Sequence, residues 1–284
     1  MDNTIKEKTI LNKSISILGC GWLGLPFGEF MLGKGYVVKG STTTLSKLDT
    51  LQQKGIQPFL FIANKKEPDD SALLRDFLKS DILFLNIPFR RSLENPSDYL
   101  DEIVQLLPSI EKSPIKRLIF ASSTSVYPND GKTWHESDAI IPETIRSKVL
   151  LQVEQTLLNN AHFDTTIIRF AGLYGPKRPS GQFLAGRKEI ARGKAPVNLI
   201  HLDDCIHILD QLLNHSHEDD IFNAVSDGHP LRKEYYTKRA IKMGLPVPLF
   251  SNEDNRKNIG KIVSNNKIKT ACDYSFIQNP SSEP

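Results

Sequence analysis

Apolar positions in the first 171 residues follow two alternating patterns. Short, largely apolar runs lie at 14–18, 36–40, 55–62, 81–87, 117–121 and 163–169 and have the length of strands. Segments with helical spacing lie between them, at 25–32, 45–54, 69–79, 96–110 and 143–158, the last with an apolar stripe of Ile145, Val149, Val153 and Leu157. Strands that alternate with helices in this way predict an α/β fold with a parallel, doubly wound sheet.

A glycine-rich turn joins the first predicted strand to the first predicted helix. It contains Gly19, Gly21 and Gly24, with Trp22 and Leu23 between the last two. At this spacing the first glycine allows a tight turn, the second leaves room for a pyrophosphate beside the backbone, and the third lets the helix pack closely on the strand. The first amides of the helix then face the phosphates. We predict a Rossmann-type dinucleotide site at these five residues; the alternative is a turn that serves only the fold.

The second predicted strand is followed by hydroxyl residues. NAD-preferring folds usually place an acidic residue about 20 positions after the glycines, where it binds the ribose hydroxyls. This chain has Thr42, Thr43 and Thr44 there, with Lys47 close by. Hydroxyl and ammonium groups can donate to a 2′-phosphate, so we predict NADP as the cofactor, with NAD as the alternative. The same hydroxyls could instead cap the helix that follows.

Polar residues also mark the ends of two central strands. The carboxyl ends of such strands overlook the cofactor crevice, so Asn86 and Pro88 are predicted cofactor contacts. The next strand runs into the hydroxyl-rich segment 122–127, which contains Ser123. Thr144 and Lys148 lie one turn apart on the following helix and therefore share a face. Ser123, Thr144 and Lys148 are candidate catalytic residues; alternatively, Ser123 satisfies backbone groups at a strand end and Lys148 is solvated.

Several segments, in this order along the chain, resemble the short-chain dehydrogenase/reductase superfamily. They are the glycine turn, SSTSVY at 122–127, the helix with Lys148, RFAGLYGP at 169–176, NLIHLDD at 198–204 and FNA at 222–224. The extended branch, which contains nucleotide-sugar epimerases and dehydratases, is the most similar. The resemblance covers most of the chain. A hydroxyacid-type dehydrogenase shares the glycine turn but would leave 122–127 and the Lys148 helix unexplained.

The resemblance implies a function and a site. It implies an NAD(P)-dependent oxidoreductase that transfers hydride to or from a small carbonyl, hydroxyl or sugar-like substrate. The nicotinamide would lie between Ser123, Lys148 and Leu173, with Lys148 serving both the cofactor and the reaction. Members of the superfamily often form dimers, which makes a homodimer an expectation.

One position departs from the superfamily pattern. Its members carry Tyr-x-x-x-Lys on the helix after the serine strand, and the lysine and cofactor lower the pKa of that tyrosine from about 10 so that it can exchange a proton with the substrate. The residue four positions before Lys148 is Thr144, and no tyrosine lies between Tyr127 and Tyr174. An aliphatic hydroxyl cannot serve as this acid or base by itself.

Three hypotheses follow from this departure. In the first, Thr144 relays a proton through a water molecule or the ribose hydroxyl. In the second, Tyr127, Tyr174 or His135 supplies the proton, although each has a simpler interpretation as a packed or solvated side chain. In the third, no redox turnover occurs, and the chain is an NADP-binding sensor or regulatory protein.

The βα pattern weakens after residue 171. We therefore predict a Rossmann domain over 14–171 and a small substrate lobe mainly over 172–284, with 221–225 returning to the sheet. A helix is predicted after residue 181, extending through Arg187 and Arg192. Arg178 and Arg187 are candidates for holding a substrate phosphate or carboxylate, or form a solvated basic face. Asp203 and Asp204 are interpreted as residues at the start of a helix, not as metal ligands.

Composition limits the classes of partner. The chain has 284 residues, with 36 Lys and Arg against 33 Asp and Glu, and its basic residues are scattered, so we expect no nucleic-acid partner. Three distant cysteines, Cys20, Cys205 and Cys272, predict neither disulfides nor a zinc site and indicate a reducing, cytoplasmic setting. No apolar run has the length of a membrane span, and residues 1–13 are predicted to be a loose polar tail.

Overall fold

A seven-stranded sheet forms the centre of the fold, in agreement with the predicted α/β class. The computed structural model describes residues 13–61, 71–90, 93–214, 220–251 and 259–281. Counted in chain order, the strands of the sheet are arranged β10-β7-β5-β4-β1-β2-β3. The pairs β1–β2, β1–β4, β2–β3 and β4–β5 are all parallel. An order that starts near the middle and reverses direction is that of the doubly wound Rossmann fold.

The elements of the N-terminal part of the chain follow the predicted alternation. They are β1 (Ser14–Leu18), α1 (Gly24–Gly33), β2 (Val37–Thr42), α2 (Leu48–Gln53), β3 (Gln57–Leu60), α3 (Ala72–Phe77), β4 (Ile82–Leu85), α4 (Asp98–Glu111) and β5 (Arg117–Ser123). Short 3₁₀ turns at Leu45–Lys47 and Thr124–Val126 precede α2 and follow β5. The predicted strand at 55–62 and helix at 69–79 each extend into positions outside the described residues, as does the predicted tail at 1–13 apart from residue 13.

The later elements are shorter and less regular. They are β6 (Asp130–Trp134), α5 (Ile145–Leu158), β7 (Asp164–Phe170), β8 (Gly172–Tyr174), β9 (Leu199–His201), α6 (Leu202–Asn214), β10 (Asp220–Ala224), α7 (Arg232–Lys242), β11 (Gly260–Val263) and α8 (Asn266–Cys272). A 3₁₀ turn lies at Ser180–Phe183. Two further two-stranded sheets pair β6 with β11 and β8 with β9, both in parallel.

The chain forms two compact units. The first consists of the described residues of Met1–Ser122, Val149–Ile167 and Ser216–Asp220, and the second of those of Ser123–Lys148, Ile168–His215 and Ile221–Pro284. In the first unit, the ring of Phe27 on α1 meets the ring of Phe84 on β4 edge to face, with centroids 5.3 Å apart. In the second unit, one apolar cluster is formed by Tyr174, Leu184, Ile190, Val197, Leu199, Tyr235 and Tyr236.

The structure differs from the sequence analysis in three places. No strand was predicted over 130–134, yet these residues form β6, because β11 supplies the hydrogen-bonding partner. The helix predicted through Arg187 and Arg192 is absent from this described part of the chain; Glu189 and Arg192 have φ values of +54° and +64°, which no right-handed helix accommodates. On α5, Val149, Val153 and Leu157 are buried as predicted, whereas Ile145 is 67 % exposed in the first turn.

Candidate dinucleotide and substrate sites

Close backbone packing shapes the turn between β1 and α1. Gly19 has a φ of +112°, and a Cβ atom on it would lie 2.5 Å from the carbonyl oxygen of Asn86. A Cβ atom on Gly24 would collide with the carbonyl oxygen of Gly19, because the two atoms would be closer than the 3.0 Å below which Cβ contacts are essentially never found. Any side chain at these two positions would displace backbone, so the turn itself requires both glycines.

Gly21 differs from its two neighbours in the turn. A Cβ atom on Gly21 would meet no atom within 4 Å, and the residue is exposed. Within the described part of the chain, no side chain caps the N-terminus of α1 and no acidic residue lies in its first turn. Open space beside an uncapped helix N-terminus is what a pyrophosphate needs, because its charge is favoured by the helix dipole. The residues present therefore fit a dinucleotide phosphate.

The ends of two strands hold this turn in place. The Gly19 amide donates to Ser41 Oγ at 2.9 Å, and the Cys20 amide donates to the Ser41 carbonyl oxygen at 2.8 Å. From the end of β4, Asn86 Nδ2 donates to the Gly19 carbonyl oxygen at 2.8 Å. Asn86 thus has a structural role in addition to the predicted one. Ser41 was not among the predicted site residues, since its role depends on the pairing of β1 with β2.

The buried thiol of Cys20, in the glycine turn, is unreactive. Cys20 is 6 % exposed, and burial raises its pKa to about 12, with a smaller opposing effect from a hydrogen bond to the Ser41 backbone. A thiol with so high a pKa carries almost no thiolate at neutral pH, so Cys20 serves packing against Gly40.

The three threonines after the glycine turn have different environments. Thr42 is buried, and its Oγ1 accepts the Thr44 amide at 3.1 Å. Thr43 and Thr44 are exposed. Thr44 occupies the N-cap position of the 3₁₀ turn at Leu45–Lys47, but its side chain makes no capping hydrogen bond to any described residue. The hydroxyls of Thr43 and Thr44 are therefore at the surface, as the predicted 2′-phosphate contacts require.

An aromatic pair fixes the segment that follows β4. Pro88 is exposed, and the preceding carbonyl oxygen, that of Ile87, accepts the Tyr99 hydroxyl at 2.9 Å. The ring of Phe89 stacks on Tyr99 with centroids 4.4 Å apart. Tyr99 is 1 % exposed, and burial raises the pKa of its hydroxyl well above the ordinary value. The neutral Tyr99 phenol thus positions the backbone leading to Pro88, a role that the sequence pattern did not reveal.

Two adjacent serines end β5 in different ways. The hydroxyl of Ser122 is buried and donates to the carboxylate of Glu154, which is 2 % exposed. Ser123 is half-buried, and its Oγ accepts the Ser125 amide at 3.1 Å. Accepting this bond satisfies the strand end, which was the alternative interpretation of Ser123. It leaves the hydroxyl hydrogen free to be donated, so a substrate contact remains chemically open.

Thr144 is the N-cap of α5. Its Oγ1 accepts the Ser147 amide at 3.0 Å, and its own amide donates to Ser147 Oγ at 3.1 Å. The two hydroxyls also contact each other at 2.9 Å. This reciprocal arrangement is a capping box with serine at its third position. The Lys148 amide donates to the Thr144 carbonyl oxygen at 3.0 Å, so the first helical hydrogen bond joins the two candidate residues, and the Lys148 side chain is exposed.

Tyr127 lies inside a hydrogen-bond network of the second unit. It is 2 % exposed, and its hydroxyl accepts Arg169 Nη1 at 2.8 Å and lies 2.9 Å from Asn223 Oδ1, to which it donates. The Asn223 amide donates to a carboxylate oxygen of Glu136 at 2.8 Å. Burial raises the pKa of Tyr127, while Arg169 opposes the rise. The Tyr127 hydroxyl is thus engaged in structural hydrogen bonds, both as donor and as acceptor.

The other predicted proton donors have ordinary surroundings. Tyr174 is 2 % exposed, and its ring meets the His201 ring edge to face at 5.1 Å. His135 is exposed, with Nδ1 3.6 Å from a carboxylate oxygen of Asp138. Leu173, the predicted nicotinamide contact, is half-buried in β8 opposite Ile200 of β9.

Lys261 extends from β11 toward the segment that follows β5. Its ammonium donates to the Tyr127 carbonyl oxygen. Burial lowers its pKa to about 8, with weaker opposing effects from Glu143 and Asp130. Lysines with such a pKa are partly neutral in mildly alkaline solution.

The two aspartates at the start of α6 are helix residues, as predicted. Asp204 is fully buried and accepts the Tyr274 hydroxyl and the Ile277 amide, each at 2.7 Å, and the Gln278 amide at 3.2 Å. Asp203 is half-exposed, and its backbone amide donates to His201 Nδ1 at 3.3 Å. In the described ranges no group of three or more His, Cys, Asp and Glu side chains is placed to hold a metal ion, and no helix there is long and apolar enough to cross a bilayer.

Comparison with known proteins agrees with this geometry. Residues 71–225 match the model of the NAD dependent epimerase/dehydratase family. Protein YeeZ of Escherichia coli strain K12 is 35 % identical over 265 residues, which cover 93 % of this chain and 96 % of YeeZ. The chain belongs to the NAD dependent epimerase/dehydratase family. The predicted resemblance to the short-chain dehydrogenase/reductase superfamily is confirmed.

Solved structures of the superfamily share the fold. UDP-glucuronic acid 4-epimerase from Bacillus cereus, in complex with UDP-glucuronic acid and NAD, has a TM-score of 0.74 and 17 % identity, covering 94 % of this chain and 95 % of the epimerase. A short-chain dehydrogenase/reductase superfamily protein from Agrobacterium tumefaciens with bound NAD has a TM-score of 0.73 and 17 % identity, covering 94 % of each chain. The family assignment makes Thr144 a departure from the tyrosine pattern within an epimerase/dehydratase fold.

Proposed function

We propose that this protein binds a nicotinamide dinucleotide at its glycine turn and transfers hydride to or from a carbon–oxygen group of a small, sugar-like substrate. The observation that carries the proposal is the open space at Gly21 beside the uncapped N-terminus of α1. It is supported by the family match and by solved relatives that bind NAD. UDP-glucuronic acid in one of these relatives makes a nucleotide sugar the first substrate class to test.

We propose NADP as the preferred cofactor. A 2′-phosphate would be held by the exposed hydroxyls of Thr43 and Thr44, with Thr42 shaping the loop through its bond to the Thr44 amide. NAD is the competing cofactor, since it is the dinucleotide bound by the solved relatives. The two differ by one phosphate, so a direct comparison of NADPH with NADH decides between them.

In the proposed reaction each candidate residue has one role. The cofactor, when bound, supplies or accepts the hydride. Ser123 donates its remaining hydroxyl hydrogen to the substrate oxygen, and Lys148 holds the nicotinamide ribose. Thr144 cannot act as the acid or base alone, because an aliphatic hydroxyl titrates far above neutral pH and its oxygen already caps α5. The proton therefore passes between substrate and water or a ribose hydroxyl, with the linked Thr144 and Ser147 hydroxyls as a relay.

The capping role of Thr144 and the buried Tyr127 also favour a second candidate function. A protein that binds NADP as a sensor needs no catalytic acid or base, and neither Thr144 nor Tyr127 has a hydroxyl available for that role. Tyr127 is an unsuitable donor because its hydroxyl is sequestered between Arg169 and Asn223 and burial raises its pKa. A sensor would bind NADPH without turnover.

Two measurements test these proposals. The first is a fluorescence titration of the full chain with NADPH, NADH, NADP and NAD, in which Trp22 within the turn reports binding and Gly21→Asp is the control. We expect the wild type to bind dinucleotide and Gly21→Asp to lose that binding. A folded wild type that binds no dinucleotide would contradict both candidate functions. The second is hydride turnover with a panel of nucleotide sugars and simple carbonyl compounds. Turnover that falls in Ser123→Ala favours the oxidoreductase, whereas tight NADPH binding without turnover favours the sensor.

A further inference from the structure

Two adjacent tyrosines of α7 use their hydroxyls differently. Both are buried, with Tyr235 at 4 % and Tyr236 at 8 % exposure. The Tyr235 hydroxyl shares a hydrogen bond of 2.8 Å with Ser180 Oγ. Tyr236 lines a cavity of about 170 Å³ inside the second unit, and its hydroxyl has no hydrogen-bonding partner among the described residues. Buried phenols usually find such a partner, so a ligand in the cavity would supply the one that Tyr236 lacks.

The Tyr236 ring is held in place by two other aromatic rings. It meets the Tyr235 ring edge to face, with centroids 5.2 Å apart, and the Phe183 ring at a tilt, with centroids 6.4 Å apart. Burial raises the pKa of the Tyr236 hydroxyl, while Arg232 opposes the rise. The phenol is therefore neutral at pH 7 and can donate its hydrogen. A donor that is fixed before binding loses little freedom when it meets a ligand.

Two further side chains with unused hydrogen-bonding groups line the same cavity. Arg232 lies one helical turn before Tyr236 and so shares its face of α7. Arg232 Nη1 donates to the Ala191 carbonyl oxygen at 3.0 Å, which fixes the guanidinium, while Nε and Nη2 have no partner among the described residues. The Asn129 amide donates to a carboxylate oxygen of Glu143 at 3.3 Å, and the Asn129 carboxamide likewise has no partner in the described ranges.

The rest of the lining does not compete for a ligand of negative charge. Asn198 is committed to the backbone of β11 through both polar atoms of its side chain. Arg192 also lines the cavity but already has another interaction partner. No carboxylate is among the described lining residues, and Arg178 and Arg187, the arginines that the sequence suggested, lie outside the lining. The described lining thus offers one guanidinium, one phenol and one carboxamide to a ligand.

We propose that this cavity binds the carboxylate group of a small organic acid. The planar guanidinium of Arg232 can pair with a carboxylate through two parallel hydrogen bonds, and its single charge balances that of the carboxylate. Tyr236 and Asn129 donate to the remaining lone pairs. A phosphate monoester approaches two negative charges at neutral pH, of which one guanidinium balances only one. The assignment of the carboxylate to a substrate rests on the proposed function and makes acidic compounds the substrate class to screen.

The test is an NMR titration of the ¹⁵N-labelled full chain with sodium acetate at pH 6.5 and constant ionic strength. Saturable shifts of the Arg232 Nε–H signal and of the Asn129 side-chain amide signals are expected. Acetamide has nearly the shape of acetate but no charge, so it should bind at least tenfold more weakly. Acetamide or inorganic phosphate that binds as tightly as acetate would overturn the carboxylate. Acetate that leaves both groups of signals unshifted would overturn the site.

The two tyrosines provide matched variants. Tyr236→Phe should bind acetate at least tenfold more weakly, yet its urea midpoint should not fall below that of the wild type, since the lost hydroxyl has no partner among the described residues. Tyr235→Phe should bind acetate like the wild type but unfold at a lower urea concentration, because it loses the bond to Ser180. A destabilised Tyr236→Phe that keeps its acetate affinity would show a structural role for this hydroxyl and contradict the site.

Two further arms separate this cavity from the proposed dinucleotide site. Gly21→Asp should keep its acetate affinity; a loss would place the anion at the glycine turn and overturn the cavity site. Tyr236→Phe should keep its NADPH affinity, and a joint loss of acetate and NADPH binding would overturn an independent carboxylate site. A wild type that binds acetate in the cavity but binds no dinucleotide would contradict the proposed function alone.

Discussion

Gly21 and Gly24 provide a matched pair of substitutions within one turn. Changing a helical glycine to alanine ordinarily stabilises a helix by up to about 1 kcal/mol. At Gly24 the new Cβ would collide with the Gly19 carbonyl oxygen and lie 3.1 Å from Asn86 Nδ2. Ordinary contacts begin at 3.4 Å, so α1 or the turn must shift. Overpacking costs about 1 to 3 kcal/mol, and a clash with backbone, which cannot rotate away, belongs to the upper part of that range, about 2 to 3 kcal/mol. Subtracting a helical gain of about 1 kcal/mol leaves a net loss of about 1 to 2 kcal/mol in Gly24→Ala.

The same substitution at Gly21 has the opposite consequence. Its Cβ would meet no protein atom within 4 Å, so the free energy of unfolding of Gly21→Ala should stay within about 0.5 kcal/mol of the wild type. The methyl group would instead occupy the space proposed for pyrophosphate, and dinucleotide affinity should fall at least tenfold. In Gly24→Ala stability should fall first, and any loss of affinity follows from the displaced turn.

The assay combines unfolding with binding. Urea unfolding followed by circular dichroism gives the change in unfolding free energy. A loss of about 1 to 2 kcal/mol lowers the midpoint of a single cooperative thermal transition by about 2 to 3 °C for a chain of this length. Dinucleotide affinity is measured on the same samples. The reasoning is refuted if Gly21→Ala destabilises as much as Gly24→Ala, or if Gly24→Ala is as stable as the wild type.

Three other predictions concern folding and pH. Thr144→Ala should lower the free energy of unfolding, measured by urea titration, by about 1 kcal/mol because the α5 cap is lost. Thr144→Ser keeps a capping hydroxyl and should lose much less; equal losses in both variants would contradict the capping role. Asp204→Asn should cost about 2 to 4 kcal/mol, because the buried carboxylate accepts three hydrogen bonds. It should also expose the Ile277 amide to hydrogen exchange, with half-exposed Asp203→Asn as the near-neutral control. Because the pKa of Lys261 is lowered in the folded protein, the unfolded chain binds more protons between pH 8 and 10.5. The free energy of unfolding of the wild type, relative to that of Lys261→Met, should therefore rise by about 1 to 3 kcal/mol across that window and stay level below pH 8. A difference that falls as the pH rises would contradict the lowered pKa.

The sequence predicts the N-terminal part of the fold well because its signals are local. The strand at β1, the glycine turn and α1 are contiguous, and each pattern has a direct physical cause in backbone freedom and apolar burial. The boundaries shift by a few residues where apolar runs continue beyond a strand, as at Ile87.

The remaining features depend on contacts distant in the chain. The charged, glycine-containing stretch of β6 has no apolar alternation, and the pairing with β11 makes it a strand. The helix predicted through Arg187 and Arg192 does not form, because Leu184 and Ile190 pack in the apolar cluster that includes Tyr235 and the positive φ values of Glu189 and Arg192 interrupt helical geometry.

The pairing of β6 with β11 also constrains how the chain folds during synthesis. The register places Gly260 opposite Asp130, so 130 residues separate the two strands. At about 5 to 20 residues per second, a ribosome needs about 6 to 26 seconds to deliver β11 after β6 has emerged. During that interval the backbone of β6 lacks the neighbour with which it finally pairs. Asp130, Gly131 and Lys132 would discourage pairing with another nascent chain, since charge and glycine weaken edge-to-edge association. Trp134, which is buried in the folded protein, would meanwhile be exposed as an apolar binding site for a chaperone.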